Sequence, residues 1–307
     1  REELGQVLTH EHLFVGWPGW ELDPLAPDQK VEQYPALLER LRDARGAGVR
    51  TVVDASPAEL GRDAAFLARA GRDAQLNVVC STGFYHEAWG LPVYLKMRSV
   101  EELAEILLFE LEQGIGRERI RAGTIKVASS GSAAGKHEKK ALLAAAAASK
   151  RTGAAILTHA SSPEVALEQA EVLVSEGVRP GAVQIGHCDG FEPEHLERVL
   201  RLGVVVAFDQ AVYEQKVTLE RRIASIIELI GAGWEHQLTL SQDQLGIVGG
   251  REVQLSGSTR DFTYVHRHLL PGLRSAGLTA QQERRLTVDN PADWLCGAAD
   301  AGREPGT

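Results

Sequence analysis

Residues 8–16 read LTHEHLFVG, an apolar run that carries His10 and His12 with Glu11 between them. Side chains two positions apart on a strand point to the same side. Both imidazoles therefore face one point, and a shared metal ion is the occupant their chemistry suggests. A doubly wound nucleotide-binding sheet would place a glycine-rich turn after its first strand. No such turn follows here. The remaining fold that alternates parallel strands with helices is the (β/α)8 barrel.

Short β-branched runs recur along the rest of the chain, at Val7–Thr9, Thr51–Asp54, Asn77–Cys80, Thr124–Val127, Ala155–Thr158, Val183–Ile185, Val204–Phe208 and Leu238–Leu240. Between them lie amphipathic stretches such as ALLERLRDARGAG (36–48) and EELAEILLFELEQGI (101–115), which close near glycine as helix C-termini do. About eight strand–helix pairs over about 250 residues predict an α/β chain, a (β/α)8 TIM barrel. No linker, solenoid repeat or low-complexity tail interrupts the pattern, so residues 1–307 read as one domain.

The chain has 307 residues, 44% of them hydrophobic, enough for a full core. The formal net charge is −9 and no basic block is interleaved with aromatics, which excludes nucleic acid as a partner. The same balance disfavours a polyanionic substrate unless a local metal charge offsets it. Cys80, Cys188 and Cys296 are far apart and form no C-x-x-C pair, as expected in a reducing cytoplasm. The longest apolar run, 141–148, is too short and alanine-rich for a bilayer, so no membrane partner is expected. No signal-peptide pattern opens the chain. It starts at Arg1 without a methionine, so a few preceding residues are expected in the full protein.

In a barrel of this kind the active site lies at the C-terminal ends of the strands. His10 and His12 stand at the end of strand one, Lys126 on strand four, and His159 at the end of strand five. His187 and Asp189 follow strand six, and Asp243 follows strand eight. Singly, each has a structural explanation. A histidine can bind a loop, a lysine can snorkel, and an aspartate can cap a helix. Together they converge on one mouth. His86, after strand three, is a candidate for the pocket wall. His266 and His268 also stand two apart, but on a helical pattern that points them about 200° apart. They cannot share an ion. His137, His195 and His236 fall in helical or loop stretches and read as solvated.

LTHEH (8–12), GTIKVASS (123–130), ILTHA (156–160), IGHCDG (185–190), VAFD (206–209), LSQD (240–243) and VDNPADWL (288–295) resemble, in order and spacing, the phosphotriesterase family of the amidohydrolase superfamily. The resemblance implies a binuclear metal centre. His10, His12 and Asp243 would hold the more buried ion, and His159 and His187 the more exposed one. Lys126 would be carboxylated and bridge both. An ammonium cannot bind a cation, but a desolvated lysine loses its proton readily. Its amine then adds carbon dioxide to give an anionic oxygen ligand. The donor set contains no thiolate and suits zinc, with manganese, iron or cobalt as alternatives.

Within that family three features look lactonase-like. STGFYHE (81–87) places Tyr85 where lactonases keep a tyrosine beside the metals. GWPGW (16–20), with Trp17 and Trp20, resembles the aromatic loop of one lactonase subgroup. Gly190 stands where phosphotriesterases proper carry a second aspartate. One departure is Gln210, where lactonases usually carry arginine and phosphotriesterases histidine; it can hydrogen-bond but carries no charge. The segment QLGIVGGREVQLSGSTRD (244–261) reads as a mobile lid around Gly249 and Gly250.

The implied chemistry is attack by a metal-activated water on a small neutral ester or lactone. Asp243 would shuttle the proton, Tyr85 would position the ring, and Asp189 would orient a ligand from behind. A phosphotriester could bind in the same way. The alternatives are a ligand-binding barrel with little turnover and an amidohydrolase acting on another ester or amide. The resemblance also implies a homodimer.

Overall fold

A computed structural model describes residues 3–251 and 261–297. Nine strands form one sheet in the order β8-β7-β6-β5-β4-β3-β2-β1-β9, and every pairing is parallel. They are β1 (Gln6–Val15), β2 (Val49–Asp54), β3 (Asn77–Gly83), β4 (Thr124–Ser129), β5 (Ala155–Ala160), β6 (Val183–Ile185), β7 (Val205–Phe208), β8 (Leu238–Leu240) and β9 (Leu245–Val248). The eight strands read from sequence are present, and the fold is the α/β TIM-type barrel.

The ring is closed by an interrupted strand. β8 pairs with β7, while β9 pairs with β1. The four residues between them bond to both neighbours. Ser241 N donates to Phe208 O at 3.0 Å, Asp243 N to His10 O at 3.0 Å, and His12 N donates to Gln244 O at 2.9 Å. Two expectations change. β1 runs on to Val15, so His10 and His12 lie within it rather than at its end. The start of the expected lid is not a lid, because Leu245–Val248 is buried barrel strand. Its apolar run LGIV pairs with β1 and so satisfies its backbone in the sheet. Gly249 continues that pairing through its N–H to Val15 O. Residues 252–260 of the segment lie outside the described residues.

Strand periodicity sorts the side chains. On β4, Ile125 and Val127 join the outer core, and Lys126 between them faces the barrel axis. On β5, Ala155 and Leu157 face inward, and His159 follows at the same period. The outer core is completed by helices α1 (Tyr34–Ala47), α2 (Ala64–Ala74), α3 (Val100–Glu112), α4 (Lys136–Thr152), α5 (Pro163–Ser175), α6 (Pro193–Leu200) and α7 (Leu219–Gly231). α1 buries Leu37, Leu41 and Ala44, one helical stripe. α3 starts at a reciprocal Ser99–Glu102 capping box. The alanine run lies in α4, and among the described residues no helix is long and apolar enough to cross a membrane.

Inside the barrel, polarity divides by depth. At the N-terminal end Val7, Val53, Ala155, Leu157 and Val205 pack together with Trp294. That tryptophan comes from α8 (Asn290–Cys296), and its indole N–H donates to Ile156 O at 3.2 Å. Asn290 ties the same helix to the carbonyls of Glu235 and Leu238. The VDNPADWL motif thus plugs the floor and leaves the upper half of the barrel for polar groups.

Candidate metal centre

A cavity of about 310 Å³ opens at the C-terminal end of the barrel. The six expected metal ligands, His10, His12, Lys126, His159, His187 and Asp243, line it together with Tyr85. His12 Nε2 lies 3.4 Å and His10 Nε2 3.9 Å from Asp243 Oδ1. His187 Nε2 lies 4.0 Å from Asp243 Oδ2. Lys126 Nζ is 2.9 Å from His10 Nε2, and the rings of His159 and His187 meet at right angles with centroids 4.3 Å apart. Ligands at about 2.0–2.1 Å around a tetrahedral ion stand roughly 3.3 Å from one another. His10, His12 and Asp243 offer donor atoms within 4.8 Å of one another, a group that could hold a divalent cation.

The hydrogen bonds behind each imidazole fix which nitrogen faces the cavity. Asp209 takes His10 Nδ1 at 2.6 Å and His187 Nδ1 at 3.0 Å, and also accepts from His187 N at 2.7 Å. Burial pushes the Asp209 carboxyl up, but His187 and His10 outweigh it and hold it well below the ordinary range. An ionised carboxylate only accepts, so both Nδ1 atoms carry the hydrogen and both Nε2 lone pairs point inward. Ser56 spends its hydrogen on Phe14 O, so His12 Nδ1, 2.8 Å away, donates to it and leaves Nε2 free. Ser161 spends its hydrogen on Ser129 O, so His159 Nε2 donates to it at 3.4 Å and presents Nδ1 instead.

Burial favours the neutral, ligating forms. It lowers His10 to about 3, with Lys126 adding to the effect, and holds His159 well below its usual value, assisted by His187. Burial also lowers Lys126 to about 8, against the pull of Asp243 and Asp209. For Asp243 burial acts upward, but the nearby His187, His12 and His10 hold the carboxyl below its ordinary range. Asp243 therefore stays an anion. Burial raises the Tyr85 phenol far above its usual value, so it remains a hydroxyl, 3.4 Å from His159 Nδ1.

Several residues that shape the site were not singled out. Asp209 orients two histidines; the sequence reading gave the orienting role to Asp189. Asp189 stands one layer farther back. It accepts from Asp209 N and Gln210 N and pairs with buried Arg222 at 2.5 Å. The signal for Asp209 was its place at the end of a strand, in VAFD. Glu11 faces away from the cavity and accepts from Ser241 Oγ at 2.7 Å, Gln242 N at 3.1 Å and Gln244 N at 2.7 Å. It clamps the strand break that carries Asp243. Gly186 is required by space, because a Cβ there would lie 2.4 Å from Thr158 O and 2.8 Å from Asp209 Oδ2. At Gly83, φ is +129° and a Cβ would fall 1.8 Å from Lys126 O.

A model of the phosphotriesterase family matches residues 1–295. This chain belongs to the phosphotriesterase family. It is similar to a phosphotriesterase homology protein of Escherichia coli, 32% identical over 96% of this chain and 99% of the relative. It is also similar to an aryldialkylphosphatase of Saccharolobus solfataricus, 28% identical over 96% of each. A solved variant of a PTE-like lactonase from Deinococcus radiodurans superimposes with a TM-score of 0.91 at 34% identity, over 95% of this chain and 96% of that one.

In this member of the phosphotriesterase family the cavity has two unlike walls. Val15, Trp17, Leu60, Trp89 and Leu245 form the apolar one. Trp17 lines it, while Trp20 instead packs edge-on against Phe14 with centroids 5.4 Å apart. Gln210, Tyr213, Gln215 and Lys216 form the polar wall. Gln210 Nε2 donates to Asp243 Oδ2 at 3.1 Å, and Tyr213 OH donates to Asp243 O at 3.0 Å. His86 does not line the cavity; it is buried beside His159, ring centroids 5.3 Å apart. His195 and His236 are exposed, whereas His137, expected to be solvated, is half-buried. His266 bonds Gln6 and His268 lies against Tyr264, both away from the cavity.

Proposed function

We propose that the protein is a binuclear metal-dependent hydrolase of carboxylic esters, with lactones as its main substrates and phosphotriesters as secondary ones. What carries the reading is a donor set whose four imidazoles are already hydrogen-bonded with a lone pair facing one small cavity. His10, His12 and Asp243 would hold one ion, His159 and His187 the other, and Lys126, as its carbamate, would join them. Two divalent cations, zinc by preference or manganese, iron or cobalt, would supply an activated water and polarise the acyl oxygen.

The side chains supply the rest. Asp243 is anionic and faces the substrate, so it can take a proton and deliver it to the leaving alkoxide. Gln210 and Tyr213 hold it in place. The Tyr85 hydroxyl donates toward the ring oxygen of a lactone and stays protonated throughout. Its backbone N–H is anchored on Glu59. Trp17, Leu60, Trp89 and Leu245 exclude water and hold an alkyl substituent. Three unpaired thiols, two of them buried, favour a reducing compartment such as the cytoplasm.

The test is turnover by metal-replete enzyme on lactones of varied ring and tail size, with aryl esters, amides and a phosphotriester alongside. Lactone hydrolysis that is lost on chelation and restored by zinc supports the proposal. Tight lactone binding without turnover would make the protein a binding module. Turnover confined to amides would make it an amidohydrolase of another kind.

A further inference from the structure

The polar wall holds a cation that the chemistry above does not use. Lys216 lines the cavity, and among the described residues it is the one cationic side chain there outside the donor cage. Its ammonium lies 3.3 Å from Gln210 Oε1 and 4.8 Å over the Tyr213 ring. Among the described residues it pairs with no carboxylate. The loop that carries it is ordered by its own backbone. Tyr213 N donates to Gln210 O, and both Lys216 N and Val217 N donate to Tyr213 O. The amide of Gln210 touches Lys216 through its oxygen and Asp243 through its nitrogen. One neutral side chain thus separates the unpaired charge from the reacting centre. The lining outside the donor cage also includes the apolar Val15, Trp17, Leu60, Trp89 and Leu245.

We propose that Lys216 is an anion subsite, and that the physiological substrate carries a carboxylate a few bonds from the ester carbonyl. The inference rests on the hydrolase reading above and narrows it. A net charge of −9 opposes polyanions but not a single carboxylate that meets a lysine at the mouth. Gln210 fits the same picture. It brings no second cation and offers Lys216 only a weak neutral acceptor, which an incoming carboxylate displaces.

The experiment compares matched pairs on metal-replete protein: phenyl acetate with para-acetoxybenzoate, and γ-butyrolactone with its γ-carboxylate. Wild type should prefer the charged member of each pair. Lys216→Ala should lower kcat/KM for the charged member about ten-fold more than for the neutral one, mainly through KM. Lys216→Arg should keep the preference, and Lys216→Glu should invert it. Equal losses on both members, or a preference that survives in Lys216→Ala, would overturn the subsite. Calorimetric titration with the two lactones separates this proposal from the catalytic one. Preferential binding of the carboxylate that is lost in Lys216→Ala, with no turnover of either lactone, would keep the subsite and remove the hydrolase.

Discussion

Asp243 stands in left-handed backbone with φ of 55°, a conformation that costs energy for a residue with a side chain. Glu11 holds the break that imposes it, through three hydrogen bonds. Glu11→Ala should therefore leave buried backbone donors unpaired, cost on the order of 3 kcal/mol and lower metal content. Calorimetry and metal analysis check this, and wild-type values in both would refute the clamp. Asp243→Asn would remove the proposed proton carrier and one proposed anionic ligand, so kcat should fall at least about 100-fold in a folded barrel. Tyr85→Phe should cut lactone hydrolysis roughly ten-fold and phosphotriester hydrolysis less. Equal losses on both substrates would remove the role given to Tyr85. The histidine pair was legible because i, i+2 spacing is local and a strand converts it into one face. Asp209 and Glu11 were not, because Asp209 reaches His10 across 199 residues and Glu11 reaches Gln242 across 231, and only closure of the barrel brings them together.

The elements show a similar division. Strand cores were legible from β-branched runs, and the inward phase of Lys126 and His159 follows from period two. The break in the last strand was not legible. Glycine-rich sequence after Asp243 reads as loop, yet pairing with β1 makes its first residues barrel wall. Glycines at close approaches were equally hidden, since nothing local distinguishes Gly186 from a turn residue. Gly186→Ala should force Thr158 O or Asp209 aside and yield little folded protein, measured as soluble yield and thermal midpoint. A wild-type midpoint would show that the neighbours give way. Trp294→Ala should cost roughly 3–5 kcal/mol by opening the floor of the barrel, far from the donor cage.

For the whole molecule, the outer surface adds one expectation. Leu22, Leu25, Trp89, Val93, Tyr94 and Met97 are exposed in the loops after β1 and β3. Those loops touch where Trp17 meets Trp89, centroids 4.7 Å apart. An apolar patch of this kind marks an interaction surface. We infer that it faces a second copy of the chain, so light scattering should give twice the chain mass, and a monomer at micromolar concentration would contradict this. The proposed metal cage rests on one arrangement, in which six side chains from five strand segments, His10 and His12 both on β1, would close on a pair of ions. Anomalous diffraction at the zinc edge, from crystals grown with zinc and bicarbonate, tests it most directly. Two peaks should lie in the cage, one among His10, His12 and Asp243 and one beside His159 and His187, with carbamate density on Lys126 between them. No peak there, with a bare amine on Lys126, would contradict the account.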